Sequence, residues 1–289
     1  MIADFIQFAS ERGLIIKSVE SDRWVRVPTE DHPHKANGAY YFAGEYAHIQ
    51  NWATMDKAES WQHKKDRTPV EQAALQSRMA ASKKAQAESM RKAHDSASLQ
   101  ASILLRDATL QPHAYLARKG FPDELGFVDA DGRLLIPMKD CVTDKLNGIQ
   151  RIEWHSDEMK FSKKMQHGMK AKGAIFRMGS KTAFETFLVE GYATGLSVAA
   201  ACRQLRLNVS VIVSFSDSNM VHVASLLKGK IFIYADNDEK SRAGEKAAIK
   251  TGMPYCMSDV VGHDANDDMV ELGILHVCKK VLEVRRNGI

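Results

Sequence analysis

Two apolar runs in this sequence end in acid. "FLVEGYATGLSVAAA" (187–201) places Glu190 at the end of one, and "KIFIYADNDE" (230–239) ends the other with Asp236 and Asp238. A third acidic group, "DANDD" (264–268), follows the segment "MPYCMSD" and supplies Asp264 and Asp267. Carboxylates two residues apart in an extended turn can point the same way. Clustered carboxylates with no His or Cys among them favour hard, oxygen-seeking cations, Mg²⁺ or Mn²⁺. Without a cation they would repel one another. The competing reading is helix capping, because a helix follows each acid closely and carboxylates favour helix N-termini.

The elements that would position these acids are regular from residue 184 onward. Strand "TFLVEG", helix "TGLSVAAACRQL", strand "VSVIVSF", helix "NMVHVASLL", strand "KIFIYAD" and helix "RAGEKAAIKTG" alternate. After "MPYCMSD" come helices at "NDDMVELG" and "HVCKKVLEVRR". Such alternation predicts a parallel sheet with right-handed crossovers. Ligands of an open parallel sheet gather outside the carboxyl ends of its strands, which is where these acids fall.

Upstream, residues 109–182 read as a basic α/β subdomain. A helical "HAYLARKGF" precedes strands "RLLIPM" and "NGIQRIEW" and then the basic "KFSKKMQHGMKAKG". From Arg151 to Lys181 there are eight Lys/Arg against three Asp/Glu, whereas Asp236 to Asp268 holds eight Asp/Glu against four Lys/Arg. A basic segment beside an acidic cluster suits polyanions held next to metal cations. Arg133, Arg151, Lys160, Lys163, Lys164 and Lys172 are the candidate contacts to nucleotide and DNA phosphates. Gly168 and Gly173 loosen the loop among them. A pair of merely solvated charged faces is the alternative.

Residues 63–108, rich in Ala, Gln, Lys and Glu, read as a helical linker, in one piece or two. Thr68, Pro69 and Glu71 form a capping-box pattern at its start. Residues 1–62 form a small aromatic-rich module with strands at "RWVRVP" and within "NGAYYFAGEYAHIQNW". Its aromatics, including Trp24, Phe42 and Trp52, suit either a stacking platform for single-stranded template, with Arg26 and Lys35 on its backbone, or an ordinary small core. His32, His34 and His48 lack partner cysteines and read as loop or surface residues.

Net charge is +4, with 44% hydrophobic and 26% charged residues, as in soluble globular proteins. No run is long and apolar enough for a membrane span, and the N-terminus lacks a signal-peptide layout, so a cytoplasmic protein is expected. Cys141, Cys202, Cys256 and Cys278 are scattered, which argues against disulfides and a structural zinc site.

Taken in order, "VEGYATGLS", "YADND" and "DANDD" resemble the Toprim domain, the metal-binding module of bacterial-type primases, topoisomerases and some nucleases. The wording is most similar to Toprim primases of phages and plasmids, and "GRLLIPMKD", "NGIQRIEW" and "MKFSKK" resemble the basic half of a primase core. The resemblance implies an α/β fold: a Toprim-like parallel sheet with flanking helices over 183–289. The basic subdomain, the linker and the N-terminal β-containing module precede it. It implies that Glu190 does acid/base or metal work, that Asp236 and Asp238 are D-x-D metal ligands, and that Asp264 and Asp267 help hold a second cation. The implied protein makes short RNA primers from NTPs on single-stranded DNA, by metal-dependent nucleotidyl transfer, in phage or plasmid replication in the cytoplasm of a bacterial host. It uses two Mg²⁺ or Mn²⁺ and no zinc, and works with a separate replicative helicase and no membrane. Two departures stand out. Thr194 occupies a position where cellular primases often carry an acid, and no N-terminal zinc ribbon is present. A Toprim nuclease and a non-catalytic DNA-binding accessory protein are the alternatives.

Overall fold

The computed structural model describes residues 1–55, 57–63, 65, 68–239 and 242–287. The chain divides into two compact units, Met1–Ser82 and Lys83–Ile289.

The first unit pairs helix α1 (Ile2–Ser10) with an antiparallel sheet of β1 (Trp24–Val27), β2 (Gly38–Phe42), β3 (Tyr46–Asn51) and β4 (Glu59–Gln62), in that order. Strand side chains alternate between faces, so Val27, Tyr40, Phe42, Ile49 and Trp61 pack on Phe5 and Ala9 of α1. On the other face Tyr41 and Tyr46 pack against Leu75 in the first turns of α2 (Pro69–Asp107). There the Tyr41 hydroxyl lies 2.8 Å from Ser82 Oγ. Most of the module's aromatics are therefore core, while Trp24 and Trp52 stay exposed. The predicted linker is one continuous helix, opened by Thr68 and Glu71: Thr68 N–H donates to Glu71 Oε2 (2.8 Å) and Glu71 N–H to Thr68 Oγ1 (3.3 Å).

The second unit is built on a ten-stranded mixed sheet. Its first part comprises β5 (Thr109–Pro112), helix α3 (Ala114–Arg118), β6 (Leu125–Val128), β7 (Leu134–Asp140), β8 (Leu146–His155), β9 (Lys160–Met165) and β10 (Ala174–Gly179). Its second part comprises β11 (Glu185–Val189), α4 (Tyr192–Gln204), β12 (Val209–Val213), α5 (Asp217–Ala224), β13 (Lys230–Ala235), α6 (Ala243–Thr251), β14 (Tyr255–Met257), α7 (Ala265–Glu271) and α8 (Ile274–Asn287). The order β14-β13-β11-β12 is parallel, as the alternating pattern predicts. Strand β10 then runs antiparallel to both β12 and β7, joining the two parts into one sheet. Strand β9 occupies "KFSKKM", where four polar residues leave no apolar alternation to read.

The central parallel strands are covered on both faces, which is why they read as unbroken apolar runs. Phe187, Val189, Phe232 and Tyr234 pack with α4 and α8, and Leu188, Ile212 and Ile233 pack with α5 and α6. Buried Asn219 of α5 ties the β9–β10 loop to this layer. Its Oδ1 accepts from Gly173 N–H (2.7 Å), and its Nδ2 donates to Ala174 O (2.8 Å) and Ser214 O (2.7 Å). Among the described residues no helix is long and apolar enough to cross a membrane.

Candidate active site

Three neighbouring parallel strands deliver carboxylates to one rim. Glu190 follows β11, and the N-cap of α4 is Gly191, with no side-chain cap bond. Glu190 is therefore not spent as a cap. Its carbonyl accepts from Phe215 N–H (2.9 Å), just past the end of β12. Phe215 has φ +65°, a region a bulky side chain rarely adopts. The bend it makes brings in Ser216, whose Oγ accepts from Asn219 N–H (3.3 Å) to cap α5. Asp217, the next residue, opens that helix.

Asp236 follows β13. Helix α6 crosses it so closely that a Cβ on Gly244 would lie 2.7 Å from the Asp236 carbonyl oxygen. Asp238 Oδ2 accepts from Gly244 N–H at 3.4 Å, so this acid does lean on a helix N-terminus. Between the two, Asn237 N–H donates to His263 O (3.0 Å) and Asn237 O accepts from Gly262 N–H (2.7 Å), which draws the loop before α7 to the same rim.

These carboxylates crowd one another. Burial, then the charges of Asp217 and Asp236, push Glu190 up to about 8. Burial, then Asp264 and Asp238, push Asp236 up to about 7. Burial and Asp238 also raise Asp217, against a hydrogen bond from Glu190 that favours its ionised form. Glu190 thus holds a proton shared toward Asp217. Asp217 Oδ1 and Asp236 Oδ1 are both buried and lack a hydrogen-bond partner. Hard oxygen donors, mutual repulsion and two orphaned oxygens fit a divalent cation. Among the described residues, no three His, Cys, Asp or Glu side chains stand as a ready-made coordination shell.

Asp217 was not legible in the sequence. "SFSDSN" reads as the polar start of a helix, and the signal that could have found it is position: an acid just past a buried strand parallel to the one ending in Glu190. Asp264 and Asp267, in contrast, form a reciprocal capping box on α7. Asp264 Oδ1 accepts from Asn266 N–H (2.6 Å) and Asp267 N–H (3.0 Å), and Asp267 Oδ2 accepts from Asp264 N–H (3.2 Å). Thr194 Oγ1 donates to Asp264 Oδ2 (3.1 Å). Asp264 still lies near enough to raise Asp236, whereas Asp267 faces Lys119 Nζ at 3.6 Å. Behind the rim, fully buried Asp268 accepts from Ser258 Oγ (2.6 Å) and Tyr234 Oη (3.2 Å) and buttresses the loop.

The basic candidates separate. On β9, Lys163 lies opposite Ile152, and its charge favours ionised Asp236. Its ammonium sits 5.8 Å from the centre of the Tyr115 ring. Lys164 lies opposite Arg151, and Lys160 opposite His155, so these three cations project from the other face of the ribbon. Lys160 pairs with Glu158, and Arg151 Nε is buried without a hydrogen-bond partner. Arg133 pairs with Asp129 (2.7 Å) and Asp131 and fastens the β6–β7 turn. Lys172, in the β9–β10 loop, approaches His222 of α5 and, after burial, helps lower that imidazole.

Residues 185–274 match the Toprim-domain family model. This stretch of the chain is similar to Toprim domains. It contains Glu190, Asp217, Asp236, Asp238, Asp264 and Asp267. A search of curated proteins finds no match. Among solved structures, a DnaG catalytic core is 12% identical with TM-score 0.39, over 54% of this chain and 53% of that one. The RNA polymerase domain of Mycobacterium tuberculosis primase DnaG, in complex with double-stranded DNA, is 16% identical with TM-score 0.35, over 67% and 80%. A DNA primase domain from Pseudomonas aeruginosa is 16% identical with TM-score 0.34, over 60% and 55%. This chain thus spans only 53% of the DnaG core.

Proposed function

We propose that this chain is a DNA primase that makes short RNA primers on single-stranded DNA by divalent-metal-dependent nucleotidyl transfer, in phage or plasmid replication. The observation that carries the reading is the convergence of Glu190, Asp217 and Asp236 from three adjacent parallel strands of a Toprim-like domain, with buried oxygens that lack partners. Asp217, Asp236, Asp238 and Asp264 are the residues that would hold Mg²⁺ or Mn²⁺. Held by these residues, a cation would supply Lewis-acid activation of the attacking 3′-hydroxyl and would offset charge on the departing pyrophosphate.

The chain's own groups do the rest. With cations offsetting the charge of its acidic neighbours, Glu190 would be ionised and could take the proton that the hydroxyl loses. Asp217 adds a carboxylate beside Glu190 to the acids that the resemblance implies. Lys163, on the acid side of β9, meets the triphosphate, while Arg151 and Lys164 on the other face suit a nucleic-acid backbone. A separate replicative helicase is the expected partner.

The test is primer synthesis on unprimed single-stranded DNA with labelled NTPs and Mg²⁺ or Mn²⁺, beside an Asp236→Asn, Asp238→Asn double variant and Asp217→Asn. New oligomers from the wild type alone support the reading, and Asp217→Asn should also weaken Mn²⁺ binding measured by electron paramagnetic resonance. Shortened template without oligomers would make the protein a nuclease instead. Neither product would leave a DNA-binding accessory.

A further inference from the structure

Helix α2 covers Tyr41 and Tyr46 on the outer face of the N-terminal sheet, but the β1 side of that face is exposed and has no part in the acid rim. Trp24 and Arg26 of β1 point away from the α1 core, and Trp52, directly after β3, falls on the same side. The Arg26 guanidinium lies over the Trp52 ring, 4.0 Å from its centre. The Trp24 ring is 6.1 Å from that of Tyr41. Trp24 and Trp52 are 47% and 48% exposed, whereas Trp61, which this sheet uses for packing, is 9% exposed. Trp24, Arg26 and Trp52 adjoin on one side of the sheet and so form a patch rather than scattered exposed side chains.

The chemistry of the face selects the occupant. The strand residues on it are Trp24, Arg26, Ala39, Tyr41, Tyr46, His48, Gln50, Ser60 and Gln62, with no Leu, Ile, Val or Met. Exposed Trp and Arg suit a protein partner as well as a nucleic acid, so the charge beside the rings decides between them. Among the described residues, Arg26 and exposed Lys35, in the loop leading into β2, form no ion pair, so their charge awaits an anion. Flat rings interleaved with unpaired cations match a nucleic-acid single strand: every base offers a π-face, and every link a phosphate.

We infer that this face binds single-stranded DNA, with bases stacked on Trp24 and Trp52 and the backbone met by Arg26 and Lys35. The site stands on the N-terminal unit alone and does not require the catalytic reading to hold.

The experiment is fluorescence anisotropy of a labelled 20-nucleotide single strand titrated with the full-length protein. Wild type is compared with Trp24→Ala/Trp52→Ala, Arg26→Gln and Trp52→Phe. Removing an indole should weaken binding by about 5- to 150-fold per stacked base. Trp52→Phe should restore most of the Trp52 share, and Arg26→Gln should reduce the salt slope by about 0.7. The titrations are run in EDTA without NTPs, so a failed catalytic site cannot be mistaken for a failed binding face. Because the indoles are exposed, unchanged thermal melts will show that the variants fold. If the double Trp variant binds within about twofold of wild type, or loses duplex and single strand equally, the stacking face is refuted.

Discussion

Replacing Glu190 by Gln should stabilise the cation-free protein at alkaline pH. The substitution keeps the volume and a donor toward Asp217 but cannot ionise. In the folded protein burial and the Asp217 and Asp236 charges hold this carboxyl near 8, against an ordinary 4.5. The folded state therefore binds the proton more tightly than the unfolded chain. Stability from this group is retained below about 4.5 and is lost as pH rises toward 8. Above both values the ionised group opposes folding by a ceiling of about 5 kcal/mol, shared with the carboxylates coupled to it. Recovery of even about 2 kcal/mol would raise Tm by about 4–8 °C in a domain of this size. Thermal melts in EDTA at pH 5 and pH 8.5 read the effect. Wild type should lose stability between the two, and Glu190→Gln should narrow the gap. Adding Mn²⁺ at pH 8.5 should raise the wild-type Tm more than that of the variant. If the variant melts at or below the wild-type temperature at pH 8.5, the repulsive cluster is not what the geometry says it is.

Lys163→Ala should lower primer synthesis by about 10- to 100-fold, the loss of a charged contact to phosphate, while Lys164→Ala, on the opposite face, should change turnover little. Asn219→Ala leaves Gly173 N–H and the Ala174 and Ser214 carbonyls without their partner, and urea unfolding should show a loss of at least about 2 kcal/mol. Gly244→Ala forces a methyl against the Asp236 carbonyl, so it should destabilise by about 1–3 kcal/mol and weaken Mn²⁺ binding, measured by calorimetry.

What could be read from the sequence follows from how each element is built. Buried parallel strands announce themselves as apolar runs, so Glu190, Asp236 and Asp238 were visible as the acids that end them. Asp217 was hidden because Phe215 bends the chain between the strand and the acid, and a backbone angle leaves no mark in composition. Asp264 and Asp267 carry the spacing of a capping box, and the structure uses them as one, with Asp264 alone also reaching the rim. The six basic candidates looked like one cluster because charge is counted along the chain. A β-strand sends adjacent residues to opposite faces, so Lys163 and Lys164 part company the moment β9 forms. That strand itself was unreadable, since its lysines break any apolar alternation.

Strand β10 has a consequence for how such proteins are cut and joined. The family match covers 185–274, but β12 finds its outer neighbour in β10, at 174–179, and the core beneath α4 also takes in Ile136, Met138 and Ile152 from upstream and Val277 and Val281 from α8. A fragment trimmed to the match would open a sheet edge of valines and isoleucine to solvent, ready to pair with another copy. The matched segment is thus smaller than the compact unit that holds its neighbours. The second compact unit, Lys83–Ile289, keeps all of these neighbours together.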